Sequence, residues 1–260
     1  MTHIIYSYRK NTGYDTLGQS WAGESVDENV ALCKYQTIEP FFLKHLPRNG
    51  KILEAGCGLG RWVIYLREKG YDIIGVDASR EAIATSKKTR PEQPLILGDI
   101  TRLPYRDGSM DAIISLGVVE HFVDGPAVPF SEIKRVLKKQ GMLFISIPIE
   151  NILRKLIVHP VGRLKGAIHR TIGHSAFFEE YRYTERQMER MLQNEDFKVR
   201  TKCYDDFMPP KNIGLYADFG LLHHKINKWE LNKPGKFINA ALSGISPKIH
   251  SSGCFWICTY

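Results

Sequence analysis

The chain has 260 residues, enough to bury a full hydrophobic core, and its length suits one α/β domain with decorations rather than two independent domains. Its 43% hydrophobic and 25% charged content excludes a disordered chain, and its longest apolar runs (111–119 and 142–149) are strand-sized, which excludes an integral membrane protein. The net charge of +8 is local: residues 151–170 hold Arg154, Lys155, Arg163, Lys165 and Arg170 without an acid, and residues 207–250 hold six lysines against Asp218 and Glu230.

The five cysteines show no metal-type spacing and the N-terminus has no apolar signal core, so a cytoplasmic protein with reduced thiols is expected. Residues 25–45 read as a helix. The aromatic arm before it (Tyr6, Tyr8, Tyr14, Trp21) either closes over a ligand or packs on a sheet edge. From Lys51 onward, strand-sized apolar runs alternate with helical patterns, as in a parallel sheet with crossover helices. The predicted strands are 51–55, 72–77, 95–99, 111–116 and 142–148. Between them lie helices at 61–69, 79–88 with Ser79 as N-cap, and 130–139 closed by Gly141. Residues 149–183 form a lid-like insertion, followed by a helix at 184–195, a sixth strand at 197–206, a second insertion at 207–252 and a seventh strand at 253–260. This divides a single domain, 1–260, into an N-terminal cap (1–45), a ligand-binding half (46–148), the two insertions, and a C-terminal half of the sheet (184–206 and 253–260).

The strongest motif is LEAGCGLGRW (53–62), an acid at a strand end followed by Gly56, Gly58 and Gly60 before a helix. Glycines there permit a tight turn and let a ligand approach the backbone. A dinucleotide-binding turn would place its third glycine at position 61, which is Arg61, so the loop suits an amino-acid-bearing nucleoside better than a pyrophosphate. Asp77 ends the second strand, where a carboxylate can accept from a ribose diol. Asp99 ends the third and can accept from an adenine amino group, with Ile100 reading the ring edge and Leu116 packing on the base. These acids converge on one crevice at the carboxyl ends of consecutive strands, where open α/β sheets bind ligands.

On these residues, with GVD (75–77), GDI (98–100) and RVLKKQGMLFISIP (135–148), the chain resembles class I methyltransferases that use S-adenosyl-L-methionine (SAM), over about residues 45–206 and again at the last strand. The resemblance implies a Rossmann-like, mostly parallel seven-stranded α/β sheet with helices on both faces, and a last strand antiparallel between the fifth and sixth. It implies SAM as cofactor, S-adenosyl-L-homocysteine as product, and contacts from Glu54, Ala55, Gly56, Gly58, Gly60, Asp77, Ala78, Asp99, Ile100 and Leu116. The chain departs from the family at KKQG (138–141), with one glycine where a pair is common, and at NEDF (194–197), which lacks a glycine before the sixth strand.

A base is needed only if the acceptor loses a proton. His121, just past the fourth strand, is the candidate, the alternative being that it contacts the cofactor or caps the loop. The run SLGVVEH (115–121) lacks the Asn/Asp-Pro-Pro-aromatic pattern of amino-methylating base enzymes, a nucleophilic cysteine, and a second glutamate beside Glu120. What remains is a small-molecule acceptor, hydrophobic or amphipathic, methylated on oxygen, with nitrogen or carbon open. The EH pair and the long insertion are similar to ubiquinone-type O-methyltransferases. Tyr14, Trp21, His174 and Tyr183 are candidate acceptor contacts, together with Phe177, Phe178 and Tyr181, which could equally be core. Glu120 and His121 are adjacent without a recognisable ligand set, so no metal is expected.

In residues 151–170 Leu153, Leu156, Ile157, Val161, Leu164 and Ile168 recur near helical spacing among the basic residues, with Pro160 and Gly162 as interruptions. This segment either closes the pocket with its apolar face or touches an anionic membrane surface. The basic segments also leave room for an RNA methyltransferase, although no RNA-binding module is recognisable and nucleic acid is not the expected partner. A third reading, a non-catalytic SAM sensor, would call for degraded motifs, which the sequence does not have.

Overall fold

The alternation of short apolar runs with helical patterns folds as a seven-stranded sheet in the order β4-β3-β2-β5-β6-β9-β8. The computed structural model describes residues 2–9, 21, 23–205, 214–227 and 230–260. In chain order these give β1 (His3–Arg9), α1 (Val26–Leu32), α2 (Glu39–His45), β2 (Lys51–Ala55), α3 (Arg61–Glu68), β3 (Asp72–Asp77), α4 (Arg80–Thr89) and β4 (Leu95–Leu97). There follow β5 (Met110–Leu116), α5 (Ala127–Val136), β6 (Leu137–Pro148), α6 (His159–Thr171), β7 (Ser175–Arg182), α7 (Glu185–Asn194), β8 (Lys198–Asp205), α8 (Leu215–Asp218), α9 (Lys233–Ile245) and β9 (Gly253–Thr259). Strands β2 to β6 of this sheet pair in parallel, and β9 runs antiparallel between β6 and β8, as the family resemblance implies.

β2 lies between β3 on one side and β5 on the other, so the chain reverses its direction of winding there. The crevice such a reversal opens lies beyond the carboxyl end of β2, directly at the glycine loop. One core face is built on Phe42, Trp62, Phe144 and Phe255, with the Phe42 and Trp62 rings edge to face at 4.8 Å. Val136, Leu143, Leu192 and Trp256 belong to the other.

Several element boundaries differ from expectation. The single helix at 25–45 is two helices, because Pro40 lacks an N–H and seats in the first turn of α2 rather than inside a continuous helix. The helix expected at 130–139 stops at Val136, since Leu137 already pairs with Met110 and Lys138 forms an ion pair with Asp111 at 2.7 Å. Gln140, not Gly141, takes the left-handed backbone there, with φ of 68°. The third strand ends at Leu97, two residues early, and Asp99 closes the following turn by accepting from the Thr101 N–H at 2.8 Å.

The insertion after β6 departs most. Pro160 and Gly162 do not interrupt it. A π turn at Arg154–Val158, in which the His159 N–H reaches the Arg154 carbonyl, leads straight into α6 and places Pro160 in the helix's first turn, where no donor is missed. The aromatic arm divides: His3–Arg9 form β1, which pairs antiparallel with β7 from His3↔Arg182 to Arg9↔Ser175 as a separate two-stranded sheet rather than with the main sheet, while Trp21 packs against the glycine loop.

Arg154 ties the lid to the second insertion. Its guanidinium is buried, donates to the Asp218 carboxylate at 2.8 Å, and donates to the Ile149 and Ser252 carbonyls at 2.6 and 2.7 Å. Removing one member of such a pair leaves a buried charge uncompensated. The Asp218→Ala variant is therefore expected to lose about 3–5 kcal/mol of unfolding free energy in urea titration, far more than an exposed-pair control such as Lys236→Ala.

Candidate functional site

The loop after β2 is held by the Val76 carbonyl, which accepts from the Gly56 and Cys57 N–H groups at 2.8 and 3.1 Å, and by one carboxylate. Asp77, at the end of the neighbouring β3, accepts from the Gly58 N–H at 2.6 Å through one oxygen and from the Ser79 N–H at 2.7 Å through the other. Each oxygen keeps a lone pair for a ligand hydroxyl. Gly56 and Gly58 both have positive φ, 85° and 53°. A Cβ on Gly56 would fall 2.4 Å from a Val118 methyl, and one on Gly58 2.5 Å from the Trp21 ring, so only glycine fits either position.

Glu54, on β2 beneath this loop, is buried and its Oε2 has no hydrogen-bond partner. Burial pushes its pKa up to about 8, against the pull of Arg61, with Asp77 adding to the rise. A cationic ligand would supply the missing partner. Ile100 is buried, Leu116 ends β5 with Gly117 following it, and Asp99 and Ala78 are exposed.

Beyond Val118 the crevice holds a second buried carboxylate. Both Glu120 oxygens lack partners, and burial raises this group to about 8, with Glu180 adding and Arg182 opposing. The sequence puts no second glutamate beside Glu120, but the fold does: Glu180 arrives on β7, where it forms an ion pair with Arg182. His121 is exposed at the rim, its Nδ1 2.8 Å from the Glu179 carbonyl, an arrangement that fixes the ring when Nδ1 carries the proton. Glu120, His121 and Glu180 bring potential ligand atoms within 4.8 Å of one another, as do His3, Glu150 and His159 below the lid, so the adjacent EH pair gains a convergent third group in space.

The candidate acceptor contacts separate. Tyr183 is buried and its hydroxyl is raised to about 12 by burial, with Tyr181 and Glu120 adding, which sets it beside the second carboxylate. Trp21 lies on the glycine loop, a cofactor-side rather than an acceptor-side position. His174 sits at the opposite end of β7 from Tyr183, 3.0 Å from His169, and is not brought to the crevice. Tyr14 lies outside the described residues. Sequence reasoning overlooked Glu180 and Arg182, which stand some sixty residues beyond Glu120 and meet it only because β7 folds back over the crevice.

Residues 53–145 match the family model described as a methyltransferase domain. Over residues 53–145 the chain therefore carries a methyltransferase domain, in the fold of the class I, SAM-dependent enzymes. A demethylmenaquinone methyltransferase of Beutenbergia cavernae is 34% identical over 97 residues, covering 37% of this chain and 40% of that protein. A malonyl-[acyl-carrier protein] O-methyltransferase of Hamiltonella defensa is 30% identical over 105 residues, 40% of each. The matched region thus spans about two fifths of either relative's length. Geranyl diphosphate C-methyltransferase of Streptomyces coelicolor, solved with Mg2+, geranyl diphosphate and S-adenosyl-L-homocysteine, shares the fold at a TM-score of 0.57 and 14% identity, over 96% of this chain and 85% of that one. SAM is the cofactor of this methyltransferase domain. The unpartnered Glu54 oxygen, the glycine cradle and the remaining Asp77 lone pairs fit its positive charges and ribose diol.

Three measurements check this geometry. Asp77→Ala is expected to weaken SAM by at least tenfold in calorimetry, and Trp21→Phe to abolish most of the fluorescence change on SAM addition. Glu54 holds its proton to about pH 8 in the fold against an ordinary 4.5, so its contribution to stability is full below pH 4.5 and is lost as pH rises through 8. Glu54→Gln should therefore flatten the fall in unfolding free energy of the ligand-free chain between pH 5 and 8.

Proposed function

We propose that the chain transfers the methyl group of SAM to the oxygen of a small hydrophobic or amphipathic acceptor. The observation that carries this reading is the pairing of a cofactor cradle at Gly56–Gly58–Asp77 with a buried, unpartnered carboxylate, Glu120, across Val118.

Bound SAM supplies an electrophilic methyl group on a sulfonium, which an acceptor oxygen displaces in line. For the chain's own residues the task is alignment and exclusion of water, which can supply much of such a barrier. Glu54 and Asp77 hold the cofactor side, and Tyr183 with Val118 walls the acceptor side. A hydroxyl acceptor must shed its proton. Glu120 is placed to take it, with His121 at the rim to pass it to solvent. A carboxylate poised near pH 8 is a far better base than one at its ordinary 4.5, which is the use such burial has in acid–base catalysis. The named relatives act on demethylmenaquinone and on malonyl-[acyl-carrier protein], and the first of these supports a small hydrophobic acceptor.

The test is to mix enzyme and SAM with cell extract and search by mass spectrometry for metabolites gaining one methyl in place of hydrogen. With the acceptor in hand, kcat/KM should rise with pH to a plateau above about 8, as Glu120 ionises. Glu120→Gln should lower kcat by about 10²–10⁴ and remove that rise while leaving SAM affinity near wild type. Methylation confined to carbon, or an unchanged pH profile in Glu120→Gln, would overturn the oxygen reading.

A further inference from the structure

We infer that the two insertions form a docking face for an anionic lipid bilayer, with α6 lying flat on the surface. In an ordinary surface helix the apolar stripe faces the core. In α6 it faces out. Val161, Leu164, Ile168 and Ile172 recur at i, i+3, i+7 and i+11 and are all exposed, Leu164 to 66%. The inward face is carried by His159 and Gly166, the only buried residues of the helix, with Gly166 so close to Tyr8 that a Cβ there would meet the phenol oxygen at 2.4 Å. The apolar face of the lid therefore does not close a pocket.

The preceding turn continues the pattern with Leu156, 69% exposed, and Ile152. The second insertion repeats it: α9 buries only Gly235 and exposes Phe237, to 76%, together with Ile238 and Ile245. The two segments meet around a cavity of about 540 Å³ lined by Ile152 and Lys155 from the first and by Ser246, Lys248 and Ile249 from the second.

Charge selects the occupant. Lys155, Arg163, Lys165 and Arg170 stand among these apolar residues, and none is ion-paired with an acid among the described residues. The segment 151–170 holds no acid at all. Lysines are depleted from the cores of protein–protein interfaces, whereas at a bilayer their stems lie along the apolar surface while their heads reach lipid phosphates. Anionic headgroups answer both the stripe and the unpaired charge; a neutral bilayer answers only the first.

The docking face stands independently of the proposed reaction, and it is tested without SAM or acceptor. Full-length protein is sedimented with vesicles of phosphatidylcholine alone or mixed with phosphatidylglycerol. Partitioning to the mixed vesicles should be at least tenfold stronger and should weaken in high salt. Leu164→Ser/Ile168→Ser should abolish it, Phe237→Ser should reduce it, and Lys165→Glu should cost roughly fivefold or more. An unchanged thermal unfolding midpoint shows that each variant is folded. Equal partitioning of wild type and Leu164→Ser/Ile168→Ser would overturn the inference. So would a dimer of the wild type that the same double substitution dissolves in ultracentrifugation, since the face would then belong to a second copy.

Discussion

The bond between the Asp77 carboxylate and the Gly58 N–H joins two strands' carboxyl ends into one binding surface. β2 and β3 are neighbours by sheet pairing, which ends at Ala55↔Val76, where the Val76 carbonyl still accepts from the Gly56 and Cys57 N–H groups at 2.8 and 3.1 Å. Asp77 carries the link further, accepting from Gly58 with one oxygen and from Ser79 at the start of α4 with the other. A side chain at Gly58 would break the arrangement twice, through its positive φ and through the Trp21 ring packed against it. The loop, the head of α4 and the indole are thus one unit, and the cofactor's place is set before any ligand arrives.

Two buried carboxylates on either side of that unit give the crevice its chemistry. Glu54 and Glu120 are each raised to about 8 by burial, and each has oxygen atoms without hydrogen-bond partners. Left unmatched, such groups cost stability, and their persistence at the carboxyl ends of adjacent strands, β2 and β5, is what a site shaped for complementary charge requires. In the proposed reaction Glu54 would face the cofactor's positive charge and Glu120 the proton of the acceptor, so that the same physical device, a desolvated acid, would serve both sides of one methyl transfer.

Much of this was legible in the chain because it is local. The strand–glycine–helix run at 53–62, Ser79 as the cap of α4, and the acids at the ends of β2 and β3 all depend on neighbours a few residues apart, and period and turn chemistry report them directly. The antiparallel place of β9 was not readable from its residues and came from family likeness. Glu180 and Arg182 escaped notice for a different reason. Their position depends on β1 pairing with β7 across more than 160 residues of sequence, and no local pattern encodes that register. The segment at 151–170 left two readings open for a third reason: its period announces an amphipathic helix correctly, but period alone does not say which way the apolar stripe turns.

That orientation follows from how the lid is held. β7 is anchored by backbone pairing to β1, and the segment leading into α6 is anchored by polar bonds: Arg154 to Asp218, Asn151 to the Ser251 carbonyl at 2.8 Å, and His159 to Glu150 at 2.9 Å. His159 is fixed inward by its carboxylate partner and by the His3 ring stacked on it at 3.6 Å. Once His159 points in, helical geometry puts Gly166, seven residues on, on the same side and rotates Val161, Leu164 and Ile168 to the opposite one. A lid held by apolar burial would have to keep its leucines inside. Held instead by buried polar pairs and a two-stranded sheet, it leaves them on the surface, where they are available to a partner outside the molecule.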